Sequence, residues 1–98
     1  MEHAVYVAHE RVTIVNQRGL HARASAKFVN AVAKLPAGFA VNVAKDANDA
    51  NGGSILGLMM LGAAMGDSVD ISVTGETGQA DAILMKLVGL IKDGFGED

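Results

Sequence analysis

A histidine set between a glycine and an arginine is the part of this chain best equipped for chemistry: Asn16-Gln17-Arg18-Gly19-Leu20-His21-Ala22-Arg23-Ala24-Ser25-Ala26-Lys27-Phe28. Imidazole changes charge near neutral pH and its free nitrogen can act as a nucleophile. A helix that starts at this histidine offers unpaired backbone N–H groups and the positive end of its macrodipole, a ready site for an anion. Together these parts fit a histidine that accepts a phosphoryl group, with Arg23 presenting paired N–H groups to the phosphoryl oxygens. The same residues also fit a plainer arrangement. His21 would then only cap a helix, Arg23 would be a solvated surface charge, and Gly19 would be an ordinary turn.

A second polar residue stands at a helix start. Ser54 follows Gly52-Gly53 and precedes Ile55-Leu56-Gly57-Leu58-Met59-Met60-Leu61, the pattern of an N-capped short helix. So apolar a helix cannot hide every face. Leu58, Leu61 and Met65 are expected in the core, while Leu20, Ile55, Leu56 and Met59 are expected to form an exposed apolar patch beside His21 that docks partners. Methionine suits a surface that must fit more than one of them.

The elements that must position these residues follow from periodicity. Val5 to Val15 is rich in β-branched residues and reads as a first strand with a leading arm. Leu20, Ala24, Phe28, Ala31 or Val32, and Leu35 recur at helical spacing, giving a helix from about Ala22 to Lys34 that Pro36 ends. Phe39, Val41 and Val43 alternate with Ala40, Asn42 and Ala44, and the polar stretch from Lys45 to Gly53 leaves room for a turn and a short return strand. Val69, Ile71 and Val73 form another alternating strand. Ala80, Ile83, Leu84, Leu87, Val88 and Ile91 then mark a helix from near Thr77 to near Gly94. The order βαββαβα, with hairpins, predicts an α+β fold in which helices cover one face of an antiparallel sheet.

Composition narrows the function. Ninety-eight residues, half of them apolar, make one domain with a modest core. Without cysteine there is no disulfide, thiolate metal site or thiol nucleophile. A net charge of −3 and 4% aromatic residues argue against a nucleic-acid surface. His3 and His9 fall on a mobile or edge segment, no His/Asp/Glu set has metal-ligand spacing, and neither metal nor other cofactor is expected. The apolar run Ile55 to Met65, eleven residues, is too short to span a bilayer, and no signal-peptide pattern opens the chain. A cytoplasmic protein that does not contact membrane is expected.

Gly19-Leu20-His21-Ala22-Arg23 and Ser54-Ile55-Leu56-Gly57-Leu58-Met59 resemble the two signatures of the HPr family, the histidine-containing phosphocarriers of the bacterial phosphotransferase system. The resemblance runs from about Arg11 to the end of the chain. It implies an open-faced β-sandwich of four antiparallel strands with three helices on one face. It also implies that His21 takes a phosphoryl group on Nδ1 from phospho-enzyme I, ultimately from phosphoenolpyruvate, and passes it to a histidine of an enzyme IIA. Ser54 corresponds to a serine that a dedicated kinase phosphorylates in parts of the family. Ala24 stands where many members have proline, the loop ahead of Ser54 is slightly long, and residues 1–10 read as an extension of a single domain. The ending Gly94-Phe95-Gly96-Glu97-Asp98 and the run Leu58-Met59-Met60-Leu61 resemble the nitrogen-related branch, with sugar uptake as the alternative.

Three classes of function follow. A monomeric phosphoryl carrier with a transient phosphohistidine is expected. A docking module switched by phosphorylation is the second class. An independent enzyme using His21 as acid or base is the third, and no second catalytic group near His21 supports it.

Overall fold

Alternation of β-branched and polar residues builds the sheet. The computed structural model describes residues 5–97, so His3 lies outside it. Strands β1 (Tyr6–Thr13), β2 (Ala40–Lys45), β3 (Asn48–Asn51) and β4 (Ser68–Gly75) pair in the order β1-β4-β2-β3, all antiparallel. In β4, Val69, Ile71 and Val73 are buried while Asp70 and Ser72 face the other side. The register sets Val12 opposite Val69 and Val41 opposite Val73, so the apolar sets of three strands share one face. A slip of one residue would turn all of them to solvent. On the polar face Arg11 lies 3.7 Å from Asp70, and the hydroxyls of Thr13 and Ser68 are 3.2 Å apart.

Helices α1 (Ala22–Ala33), α2 (Ile55–Met60) and α3 (Thr77–Lys92) cover the apolar face, giving the expected order and architecture. α3 lies along β1 and β4, and α1 packs on α2 and α3. Phe28, Leu58, Leu87 and Ile91 fill the space between helices and sheet. His9 is exposed on β1, at the edge of the sheet.

Three features depart from the sequence reading. Leu20, expected on the surface, is only 5% exposed: its backbone N–H donates to the Ala63 carbonyl (2.9 Å), and the side chain joins the core. Met65, expected in the core, is 56% exposed, because it lies in the turn ahead of β4 after the short α2 has ended. Beyond α3 the chain makes a turn, Gly94–Gly96, whose Phe95 is buried in the core.

Candidate functional site

His21 owes its place to the loop between β1 and α1. Ile14 stays tied to the segment before β4, its N–H donating to the Asp67 carbonyl and its own carbonyl accepting from Gly66, both at 2.8 Å. Gly19 then turns the chain with φ +64°; a Cβ there would lie 2.4 Å from the Ala63 carbonyl oxygen, so only glycine fits. The buried Asn16 locks this turn, its Nδ2 donating to the Gly19 carbonyl at 2.8 Å. Ser25, also buried, donates from Oγ to the Leu20 carbonyl at 3.2 Å and ties the first turn of α1 to the loop.

At the end of this path His21 is the N-cap of α1, in extended conformation. Its Nδ1 accepts from the backbone N–H of Arg23 at 3.3 Å, and its Nε2 lies 2.8 Å from Oε2 of Glu97. An amide N–H only donates and a carboxylate only accepts, so one neutral tautomer satisfies both contacts: proton on Nε2, lone pair on Nδ1. That lone pair faces the start of α1, where no acidic residue occupies the first turn. The ring is largely covered, with a side-chain exposure of 19%.

Glu97 is the residue that sequence reading missed. Its Oε1 accepts from Asn16 Nδ2 at 3.1 Å while Oε2 faces His21. Burial alone would push its carboxyl up. Hydrogen bonds from His21 and Asn16, with the charges of His21 and Lys27, outweigh that and hold the group below the usual carboxylate range. Lys27 donates from Nζ to the Phe95 carbonyl at 2.6 Å, fastening the Gly94–Gly96 turn to α1. Arg18, Arg23 and Lys27 line a cleft of about 350 Å³ with Gln17, Gly96 and Glu97. That volume admits a phosphoryl group, and its cations suit one. Gly94-Phe95-Gly96 was the visible signal: two glycines around an aromatic residue suit a tight turn anchored in the core.

Ser54 caps α2, its Oγ accepting from the Gly57 N–H at 2.9 Å. Of α2's residues only Leu58 is buried, and Ile55, Leu56, Met59 and Met60 are exposed. The apolar patch therefore consists of α2 residues without Leu20. Among the described residues no group of three or more His, Cys, Asp or Glu side chains could hold a metal ion, and no helix is long and apolar enough to cross a membrane.

Residues 8–93 match the family model described as the phosphotransferase-system HPr component phosphorylation site. That span contains both helix starts described above. The chain belongs to the HPr family. It is a phosphocarrier of the phosphotransferase system. The phosphocarrier protein HPr of Pseudomonas aeruginosa is 40% identical over 87 residues, covering 88% of this chain and 92% of that protein. The phosphocarrier protein NPr of Shewanella violacea is 34% identical over 87 residues, covering 89% and 91%. A crystal structure of HPr from Thermoanaerobacter tengcongensis superposes with a TM-score of 0.81 at 35% identity, covering 93% of this chain and 98% of that one. Relatives of both the HPr and NPr names are therefore similar to this HPr-family chain.

Proposed function

We propose that His21 is the phosphoryl acceptor, taking the group on Nδ1 from the phosphohistidine of enzyme I and giving it to a histidine of an enzyme IIA. One observation carries this reading: the Nδ1 lone pair faces the start of α1 while Nε2 is engaged by Glu97. A phosphoryl group arriving at Nδ1 meets the backbone N–H groups of the helix start, which hydrogen-bond its oxygens, and the Arg23 guanidinium can fork onto them. Transfer between two histidines depends on alignment and charge stabilisation, and the partner enzymes supply much of both. The protein thus acts as a cytoplasmic monomeric carrier rather than as an independent catalyst.

Ile55, Leu56 and Met59 form the docking face in this reading. Ser54 is its regulatory site: a phosphate there adds about two negative charges beside the patch and repels an acidic partner. The nitrogen-related reading rests on the Gly94–Glu97 ending and on the NPr relative, and the sugar-uptake reading on the relatives named HPr. Offering the phosphorylated protein to an enzyme IIA of each kind decides between them by which one drains the phosphate.

Incubation with enzyme I and phosphoenolpyruvate tests the central claim. Acid-labile, base-stable phosphate should appear on His21, with a ³¹P signal of a pros-phosphohistidine. Phosphate on another residue, or none, overturns it.

A further inference from the structure

Both nitrogens of the His21 ring have a partner: the Arg23 N–H at Nδ1 and the Glu97 carboxylate at Nε2. We propose that Glu97 is a positioning residue for phosphoryl transfer: it holds His21 in the tautomer whose lone pair is on Nδ1 and balances the charge that the ring gains. The inference rests on the carrier reading above.

The carboxylate is itself held in place. Asn16 is 4% exposed, and its Nδ2 faces two acceptors, the Gly19 carbonyl at 2.8 Å and Oε1 of Glu97 at 3.1 Å. The amide nitrogen must therefore sit on that side, and the amide oxygen points away without a partner. Oε1 is committed to Asn16, which leaves Oε2 for His21. Below Glu97 the chain is strained. Gly94, Phe95 and Gly96 have φ of +63°, +59° and +71°, a conformation disfavoured for phenylalanine. Phe95 keeps it because its ring is buried and its carbonyl accepts from Lys27. A strained turn fixed from both sides delivers one carboxylate oxygen to one ring nitrogen.

The transfer step shows what this achieves. The Nδ1 lone pair forms a bond to phosphorus, the bond from phosphorus to the donor's ring nitrogen breaks, and that nitrogen takes the electron pair. The proton on Nε2 stays where it is, so His21 becomes a phosphorylated imidazolium with its positive N–H directed at the Glu97 carboxylate. When the phosphoryl group leaves, the electron pair returns to Nδ1 and the starting tautomer is restored. No proton has to move in either direction, and the buried charge is compensated throughout, as the carboxylate does for histidine in catalytic triads.

An isosteric change separates this role from mere packing. In Glu97→Gln the single amide oxygen is claimed by Asn16, whose orientation is fixed, so the new NH₂ faces Nε2. A donor there demands a lone pair on Nε2 and drives the proton to Nδ1, the nitrogen that must attack. Glu97→Ala only frees the ring. The measurements are ¹H–¹⁵N correlation of the ring nitrogens at a pH where His21 is neutral, and the rate of phosphate uptake from enzyme I. The wild type should show the Nε2–H tautomer and Glu97→Gln the Nδ1–H tautomer. Uptake by Glu97→Gln should fall roughly tenfold or more, below that of Glu97→Ala, since an amide replacing a tautomer-setting carboxylate can cost several powers of ten. A Glu97→Gln protein with the wild-type tautomer and the wild-type rate would overturn the proposal. Failure of the wild type to take phosphate on His21 would instead overturn the carrier reading, because the tautomer comparison uses no phosphate.

Discussion

Two helices in this molecule begin with a polar side chain turned back onto the backbone, and they do it unequally well. Ser54 reaches the third N–H of α2 at 2.9 Å, whereas the His21 ring reaches only the second N–H of α1, at 3.3 Å. Neither first turn contains an acidic residue, so both helix starts keep their positive potential for an anion. As a cap, a serine would serve α1 better than the imidazole does. The histidine is explained by its other nitrogen, which is gripped by Glu97. At Ser54 the side chain serves the helix first, and at His21 the helix serves the side chain.

The largest effect should come from exchanging one cap for the other. His21→Ser supplies a better capping group and no nucleophile, so the fold should persist while phosphate uptake from enzyme I disappears. Circular dichroism beside a phosphorylation assay checks both halves. Residual uptake at the wild-type rate would mean that the acceptor lies elsewhere.

The turn that carries Glu97 comes next. Phe95 is 1% exposed, and Phe95→Ala should lower the unfolding free energy by about 3–5 kcal/mol, the range for a large buried ring. Urea denaturation measures it. A loss below about 1 kcal/mol would show that the turn is not anchored in the core and that α1 alone orients His21.

What could be read from sequence and what could not divide along the same line. The strands, the helices and both helix starts were legible because their signals are local: Val69, Ile71 and Val73 alternate, Ala24 and Phe28 share a helix face, and Ser54 precedes an apolar run. The partners of His21 were not. Glu97 lies 76 positions away, and Lys27 meets Phe95 across 68. No periodicity links such residues; only the docking of the turn after α3 onto α1 brings them together. Leu20 misled for a related reason. Its place beside His21 suggested the surface, but the bond from its N–H to the Ala63 carbonyl turns its side chain inward.

Arg23 sharpens the comparison at smaller scale. It is exposed at the start of α1 and lines the cleft with Lys27 and Glu97. Arg23→Ala should fold normally and slow transfer by roughly tenfold to a thousandfold, the range for losing one charged stabiliser. Rapid-quench measurement of uptake and release gives the number, and unchanged rates both ways would reduce Arg23 to a surface charge. Arg23→Lys should recover only part of the rate, because an ammonium cannot fork onto two oxygens.

Ser54 should give the smallest effects and divides cap from docking. Ser54→Ala leaves the Gly57 N–H without its side-chain acceptor and should cost about 1 kcal/mol of stability, with phosphate uptake unchanged. Ser54→Asp keeps a capping oxygen and adds a charge that the helix start favours, so its melting temperature should hold or rise slightly. The same charge stands beside the exposed Ile55, Leu56 and Met59, where a partner would have to desolvate it. Affinity for enzyme I should therefore weaken by about 1–3 kcal/mol, roughly fivefold to 150-fold. The two variants thus stand in opposition: Ser54→Ala lowers stability and spares binding, whereas Ser54→Asp spares stability and weakens binding. Titration calorimetry beside thermal melts resolves that opposition. Equal affinity of Ser54→Asp and wild type for enzyme I would remove α2 from the docking face and leave Ser54 as a cap alone.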